Sequence, residues 1–569
     1  MQAQRAEDAS ELLARTAADV FGWGTLRPGQ LTAMEAVLAG RDTLVVMPTG
    51  AGKSAVYQVA GTVLAGPTLV VSPLIALQRD QIAGLPGHGG PEAVAVNSAQ
   101  GSGETKAAWE AVRHGDAEFL FLSPEQLAKD EVLDRLAEAG PSLFVVDEAQ
   151  CVAAWGHDFR PDYLRLAHAV RRVGGPTVLA LTATASPPVR EEIVRRLEMG
   201  DDAAQVVAGF DRPNITLEVR RFAEDADRRR AVVERAAAEA KPGIVYTATR
   251  RDAEEYAAEL AGLGLSAAAY HAGLPSAERS RVHDAFLAGD ADVVVATSAF
   301  GMGIDKEDVR FVLHAALPGS LDAYYQEIGR AGRDGGPAVA VLHYRPGDSG
   351  LQRMFATRTP DEETLGEVAE AVHDSDGAVG LDELGAETDL PRRRVTAAAN
   401  LLEQAGAVRT DEEGQVRPEP GVSADDATER AARTARARKR LEESRLEMTR
   451  AYAETPGCRR RFLLGYFGEE YEGPCGSCDT CRAEESPDPA AGTPTEGVTE
   501  TGDAPPEHPA AASYPAGTRV RHREWGDGMV MNEEGDRITV LFDSMGYRTL
   551  SLAAVTDSDL LTIRADPDD

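Results

Sequence analysis

Lys53 and Ser54 close the run MPTGAGKS, Met47 to Ser54, and about ninety residues later an apolar stretch, Leu143 to Val146, ends on Asp147 and Glu148. The first run sits between an apolar segment, 43–47, and a periodic one beginning at Ser54, so it reads as a strand, a tight loop and a helix start. Within Thr49–Gly50–Ala51–Gly52 the two glycines let the backbone turn its N–H groups onto phosphate oxygens, and the helix N-terminus adds partial positive charge. Lys53 then reaches the outer phosphates, and the Ser54 hydroxyl is placed to ligate magnesium. The usual pattern opens on a further glycine, where this chain has Met47. The four apolar residues before Asp147 make a buried parallel strand that delivers both carboxylates to the C-terminal edge of a sheet, where such ligands bind. There Asp147 would hold magnesium and Glu148 would orient the attacking water. The chemistry implied is hydrolysis of a nucleoside triphosphate.

The elements that must position these groups alternate in a parallel α/β pattern. Short apolar strands are expected at Thr68–Val71, Phe119–Leu122, Leu143–Val146 and Thr177–Leu181, and a second series at Gly243–Tyr246, Ser266–Tyr270, Val293–Ala296 and Phe311–Leu313. Two such sheets leave a cleft between them. The second half has no phosphate loop but carries YYQEIGRAGRDG, Tyr324 to Gly335. Arg330 and Arg333 are three apart, so on a helix both face one side and reach across the cleft, where guanidinium donors stabilise charge on the transferred phosphoryl group. Closure with triphosphate and release with product would make the halves inch along whatever both grip.

A chain of 569 residues is expected to hold three to five domains. No leader segment and no apolar run of the roughly 20 residues that cross a bilayer are visible, so a soluble, cytoplasmic protein without a membrane partner is expected. The net charge of −34 disfavours a polyanionic partner unless basic stripes are local. Arg392–Arg394, Arg433–Arg440 and Arg459–Arg461 are candidates, each equally readable as a solvated helix face. Four of the five cysteines crowd into Cys458, Cys475, Cys478 and Cys481. Thiolates at two-residue gaps on a Pro/Gly-rich turn can converge on one tetrahedral zinc, a closed structural site; four unliganded surface thiols are the alternative. Cys151 reads as a small buried filler. Between Gly380 and Pro418 the pattern is a winged helix–turn–helix with Arg392–Arg394 opening its recognition helix, suited to DNA or to protein. A Pro/Ala/Thr/Glu-rich tether follows Arg482.

In order along the chain, FGWGTLRPGQ, MPTGAGKS, VVSPLIALQRDQ, LSPEQL, VVDEAQ, WGHDFRP, LTATA, ATSAFGMGID and YYQEIGRAGRDG resemble the RecQ-type DNA helicases of superfamily two, and CRRRFLLGYFGEEYEGPC resembles their zinc segment. The resemblance implies an α/β fold of two tandem RecA-like domains with a winged helix, a zinc-binding segment and a small C-terminal β-barrel. It implies an ATP-dependent DNA helicase moving 3′ to 5′ in recombination and repair, with ATP, Mg²⁺ and structural Zn²⁺ as cofactors and single-stranded and duplex DNA as partners. Adenine would be read by Gln30 between Arg27 and Trp23, the last standing where tyrosine is common. The loop carrying Trp155, His157, Phe159 and Arg160 would stack bases and link DNA to hydrolysis. Gln150 replaces a more frequent histidine and is expected to hydrogen bond across the cleft. Ser72, Pro73, Gln78, Thr182 and Thr184 would line a sequence-independent backbone track, with Thr297, Ser298 and Arg310 on the second half.

The expected domains are 1–208 and 209–348 for the two lobes, 355–420 for the winged helix, 424–482 for the helix and zinc segment, 483–512 for the tether and 513–569 for the barrel. The winged domain precedes the zinc segment here, whereas the better-known RecQ plan places it after, which puts strand separation by a wing hairpin in question. The last segment resembles the Tudor-like module ending UvrD/PcrA-type helicases, and around Trp525 it would contact a protein partner or nucleic acid. An RNA helicase, or a DNA-binding regulator with a silent ATPase core, are the alternative readings. Association with the nucleoid is expected.

Overall fold

The computed structural model describes residues 2–485 and 514–564, apart from 74, 86–90, 98–99, 154–162, 164, 302–303, 305, 349, 351, 353–359, 376, 412–413, 516–517, 535–536, 543–544 and 558–559. Among the described residues the strands form four sheets. The first is seven-stranded and parallel, built from β1 (Thr43–Val46), β2 (Thr68–Val71), β3 (Ala93–Val96), β4 (Phe119–Leu122), β5 (Leu143–Val146), β6 (Thr177–Thr182) and β7 (Ala204–Val207), in the order β3-β4-β2-β5-β6-β1-β7. β1, β2, β4 and β5 are buried throughout, because helices cover both faces and each strand reads as an unbroken apolar run. The second sheet, also parallel, contains β8 (Ile215–Arg221), β9 (Gly243–Tyr246), β10 (Ala267–Tyr270), β11 (Val293–Ala296), β12 (Phe311–His314) and β13 (Ala338–Tyr344), ordered β10-β11-β9-β12-β13-β8.

The topology explains where chemistry gathers. β6 lies between β1 and β5, with Val46 opposite Thr182 and Val146 opposite Ala180, so the phosphate loop, the acidic strand end and Thr182 share one edge. Met47 N–H donates to the Thr182 carbonyl at 3.1 Å, which fastens the loop to β6 as it leaves β1.

After the second sheet, helices Glu362–Asp374, Leu381–Thr388 and Arg392–Gln404 pack with a three-stranded antiparallel sheet, β14 (Val379–Gly380), β15 (Val408–Thr410) and β16 (Gln415–Pro418), as a winged helix with its own core around Leu365, Leu384, Val395 and Leu402. This unit reaches lobe 1 through Arg165, which pairs with Glu403 and donates to the Thr410 carbonyl. The 31-residue helix Ala424–Glu454 runs on to the cysteine-bearing segment. The last sheet is five-stranded and antiparallel: β17 (Arg519–His522), β18 (Gly526–Glu534), β19 (Arg537–Phe542), β20 (Gly546–Ser551) and β21 (Leu561–Ile563), ordered β20-β19-β18-β17-β21.

That C-terminal sheet is docked on the body of the protein. Met531, Leu541 and Tyr547 join the core shared by both lobes and the zinc segment. Tyr547 hydroxyl donates to Tyr466 hydroxyl at 3.2 Å, and Arg519 pairs with Glu191 of the lobe 1 helix Pro187–Arg196 at 2.5 Å. Gly546 backs onto the long helix, where an added Cβ would fall 2.3 Å from Ser444 Oγ, and its φ is +69°. Gly546→Ala is therefore expected to destabilise this docking by about 1–3 kcal/mol, read as a lower midpoint for the C-terminal transition in a thermal melt. An unchanged melt would show that the sheet does not rest on Ser444.

Candidate active site and zinc segment

The phosphate loop folds as its glycines require. Gly50 and Gly52 sit at φ +79° and +76°, and the helix Ser54–Val63 begins at once after Lys53. Lys53 is half-buried, and its ammonium donates to the Met47 carbonyl at 3.1 Å. Burial lowers its pKa against the opposing pull of Glu148 and Asp147, with Arg333 adding to the lowering. Asp147 is buried, and desolvation together with the neighbouring Glu148 carboxylate pushes it up to about 6. It is held at 3.1 Å by the Gln81 amide and at 3.0 Å by the Glu148 N–H. Two carboxylates and a lysine brought together out of water are a poor structural core and a good site for a cation and a polyphosphate. Glu148 adopts φ +51°, the left-handed region that non-glycine residues avoid, so the fold spends local strain to aim this carboxylate.

A cavity of 350 Å³ opens between the lobes, walled by Arg27, Thr49 and Gly50 on one side and by Asp211, Arg212 and Arg333 on the other. Arg333 lies across the phosphate loop: a Cβ on Gly50 would stand 3.3 Å from its Cγ. The two arginines do not share a helix face as the spacing suggests. The helix Leu321–Ile328 stops first, and the chain turns through Gly329 and through Gly332 at φ +56°. Arg333 consequently faces lobe 1, while Arg330 is buried within lobe 2 against Gly301 and lines a separate 480 Å³ cleft with Thr297, Ser298 and His314.

Other candidates fall out differently from the sequence reading. Gln150 does not reach across the cleft: it is fully buried in lobe 1, donating to Glu148 at 2.7 Å and accepting from the Thr182 hydroxyl at 2.6 Å. It is a bridge between the acidic strand end and β6, made possible because the amide offers both a donor and an acceptor. Gln30 donates to the Ala51 and Gly52 carbonyls at 3.0 and 2.9 Å and accepts from Arg27 N–H, so its amide braces the phosphate loop. Arg27 itself donates to the Gly50 carbonyl at 3.3 Å, and Trp23 stacks on Phe21 with centroids 4.8 Å apart.

Ser72, Pro73, Gln78, Thr182 and Thr184 are all buried, and the Gln78 amide is spent on Ser72 O and Asn97. These residues shape the sheet edge from beneath and are not an exposed track. Arg310 is turned onto Asp334 at 2.6 Å and carbonyls nearby. Trp155, His157, Phe159 and Arg160 lie outside the described residues. In the winged helix Arg392 and Arg394 pair with Asp382 and Asp361. Gln81 and Arg212 were missed by sequence reasoning. Gln81 carried a signal, three residues beyond Gln78 on one helix; Arg212 carried none, because its partners are backbone carbonyls.

Cys458, Cys475, Cys478 and Cys481 bring their sulfurs within 4.8 Å of one another. Tetrahedral zinc with Zn–S near ~2.3 Å sets sulfurs roughly 3.8 Å apart, so the cluster fits a closed structural ion and leaves no position for water. Cys478 N–H donates to Cys475 Sγ at 3.3 Å, the kind of contact that favours a thiolate. Metal analysis is expected to give about one zinc per chain, lost with Cys478→Ser; a variant that kept its zinc would remove the four-sulfur assignment.

Comparison with known proteins agrees with this geometry. Residues 27–193 match the DEAD/DEAH box helicase family, 228–335 the helicase conserved C-terminal domain and 423–482 the RecQ zinc-binding family. The Bacillus subtilis (strain 168) protein named as a probable ATP-dependent DNA helicase RecS is 36% identical over 470 residues, covering 82% of this chain and 91% of that protein. The ATP-dependent DNA helicase RecQ of Haemophilus influenzae is 35% identical, covering 81% of this chain and 62% of its own length. Among solved structures, the DUF1998 helicase MrfA bound to DNA shares the fold at a TM-score of 0.50 and 16% identity, over 74% of this chain and 63% of that one. With two parallel-sheet lobes and a four-cysteine segment beside them, the chain belongs to the RecQ-type family of ATP-dependent DNA helicases.

Proposed function

We propose that this enzyme unwinds DNA by moving 3′ to 5′ along one strand, within recombination and repair, and that the seam between the lobes is its engine. The observation that carries the reading is Arg333 lying across Gly50 beside Lys53, Glu148 and the buried Asp147, because cleavage then depends on lobe closure. Ser54 and Asp147 would hold magnesium, which supplies positive charge to the phosphates. Lys53 and the loop N–H groups bind the triphosphate, Glu148 orients water, and Arg333 neutralises charge on the phosphoryl group from the opposite lobe. Gln150 and Thr182 relay the position of Glu148 to β6 and on to Thr184. Single-stranded DNA would pass over the cleft holding Thr297 and Ser298, with Trp155, His157, Phe159 and Arg160 as the residues expected to stack its bases. The proposed domains are 1–208 and 209–348 for the two lobes, 355–420 for the winged helix, 424–482 for the helix and zinc segment, 483–512 for the tether and 513–569 for the C-terminal module.

No helix among the described residues is long and apolar enough to cross a membrane; a cytoplasmic place at the nucleoid is proposed because a DNA helicase would meet its substrate there. The C-terminal sheet uses one face on the body of the protein and would offer Trp525 and its surroundings to a partner. Unwinding of 3′-tailed against 5′-tailed duplexes tests the direction: strand separation from the 5′ tail alone would overturn it. Hydrolysis stimulated by RNA and not by DNA would instead favour an RNA helicase.

A further inference from the structure

The connector between the lobes, Phe210–Asn214, does more than join them. Arg212 spreads its guanidinium over three carbonyls of the loop that follows the helix Leu321–Ile328: Nη1 donates to Gly329 O at 3.2 Å, and Nη2 to Ala331 O at 2.8 Å and Gly332 O at 3.0 Å. Asn214 adds its amide, donating to Gly332 O at 2.8 Å and Gly336 O at 2.9 Å. These contacts bracket Arg333 on both sides. The loop they hold is tight, since a Cβ on Gly332 would fall 2.4 Å from Asn214 Nδ2. At its other edge the connector is fixed to the zinc segment. Asp211 pairs with Arg460, the Phe210 N–H is taken by Glu469, and Phe210 stacks on Phe467 with centroids 4.7 Å apart. Arg190 of lobe 1 donates to Phe467 O at 2.8 Å and Tyr325 of lobe 2 to Phe210 O at 2.6 Å, so the same strip is held from every side.

We infer that Arg212, assisted by Asn214, is a positioning residue that aims Arg333 at the triphosphate, with the zinc segment as its fixed support. A planar fork matched to several carbonyl oxygens suits this task, which a flexible ammonium does not. The inference rests on the reading of Arg333 as the group that meets the phosphates.

The test is the DNA-stimulated ATPase of the full chain, with kcat and KM for ATP measured for Arg212→Ala, Arg212→Lys, Arg333→Ala and the double variant Arg212→Ala/Arg333→Ala. Misplacing a reacting group by about 1 Å costs about 10²-fold, so Arg212→Ala is expected to lose about that much kcat with KM unchanged to within about twofold. Added to Arg333→Ala, it should cost no more than about twofold further, since the group it aims is already gone. Arg212→Lys should fall between wild type and alanine, and it decides the matter if the alanine variant does not fold: full activity with lysine overturns the inference. So does a rise in KM at unchanged kcat, which would make Arg212 a nucleotide ligand, or a double variant whose losses multiply. A slow Arg333→Ala beside a normal Arg212→Ala sinks this inference alone; an Arg333→Ala variant with wild-type turnover sinks the reading of Arg333 with it.

Discussion

Arg333→Ala is expected to lower the kcat of DNA-stimulated ATP hydrolysis by about 10³-fold, at the lower end of what an arginine supplied from across a seam contributes. The side chain lies over Gly50 and its charge is felt at Lys53, so in the closed arrangement it adds a second cation where the phosphoryl charge develops. ATP affinity should change little, since the phosphate loop and Lys53 belong wholly to lobe 1. Duplex unwinding should disappear with hydrolysis while binding of single-stranded DNA persists. The decisive measurement is single-turnover hydrolysis at saturating DNA. A normal rate there would mean that lobe closure is not what completes the site, and the engine proposed here would be wrong.

Lys53→Ala should be comparably severe, with a loss of about 10³-fold or more in turnover, because it removes the cation that faces the outer phosphates. Its second effect is electrostatic and local. Asp147 is already raised to about 6 by burial and by Glu148, and Lys53 is one of the groups that offset this. Without the ammonium, two adjacent carboxylates are left to repel each other, so the site loses triphosphate binding as well as catalysis. Titration with a fluorescent ATP analogue should show the weakened binding, which separates this variant from Arg333→Ala. Wild-type turnover in Lys53→Ala would remove the phosphate loop from the mechanism.

What could be read in advance follows a physical divide. MPTGAGKS and the strand ending on Asp147 announce themselves because loop, helix start and buried strand are local and their chemistry is carried by neighbours in sequence. Expected strands such as Phe119–Leu122 and Val293–Ala296 recur with the same limits, since a continuous apolar run on a covered sheet leaves little choice. β3, β7, β8 and β13 were not anticipated. β7 and β8 are only partly buried and carry polar residues that interrupt the run; β3 is the short AVAV, partly buried at a sheet edge, whose alanines make a weak apolar signal; Ala338–Tyr344 is fully buried but mixes alanines and a histidine. The differences at the site share one cause. Arg330 was placed by helical spacing, and Gln150, Gln30 and Gln78 through the family resemblance, while their direction depends on where a helix stops or on which carbonyl stands opposite, and neither is written in the sequence.

The docking of the C-terminal sheet has a mechanical consequence. It touches lobe 1 through Arg519–Glu191, an ion pair about half exposed at each end and so worth about 0–1 kcal/mol, and through the buried Tyr547, which also meets Ser186. On the other side Tyr547 and Leu541 are sunk in apolar surroundings and Tyr547 meets Tyr466, a contact on the order of 1.5–3 kcal/mol for each side chain buried. The sheet thus bridges lobe 1 and the zinc segment like a rivet whose shank is Tyr547, and under load the exposed Arg519–Glu191 pair is expected to open before the buried tyrosines do.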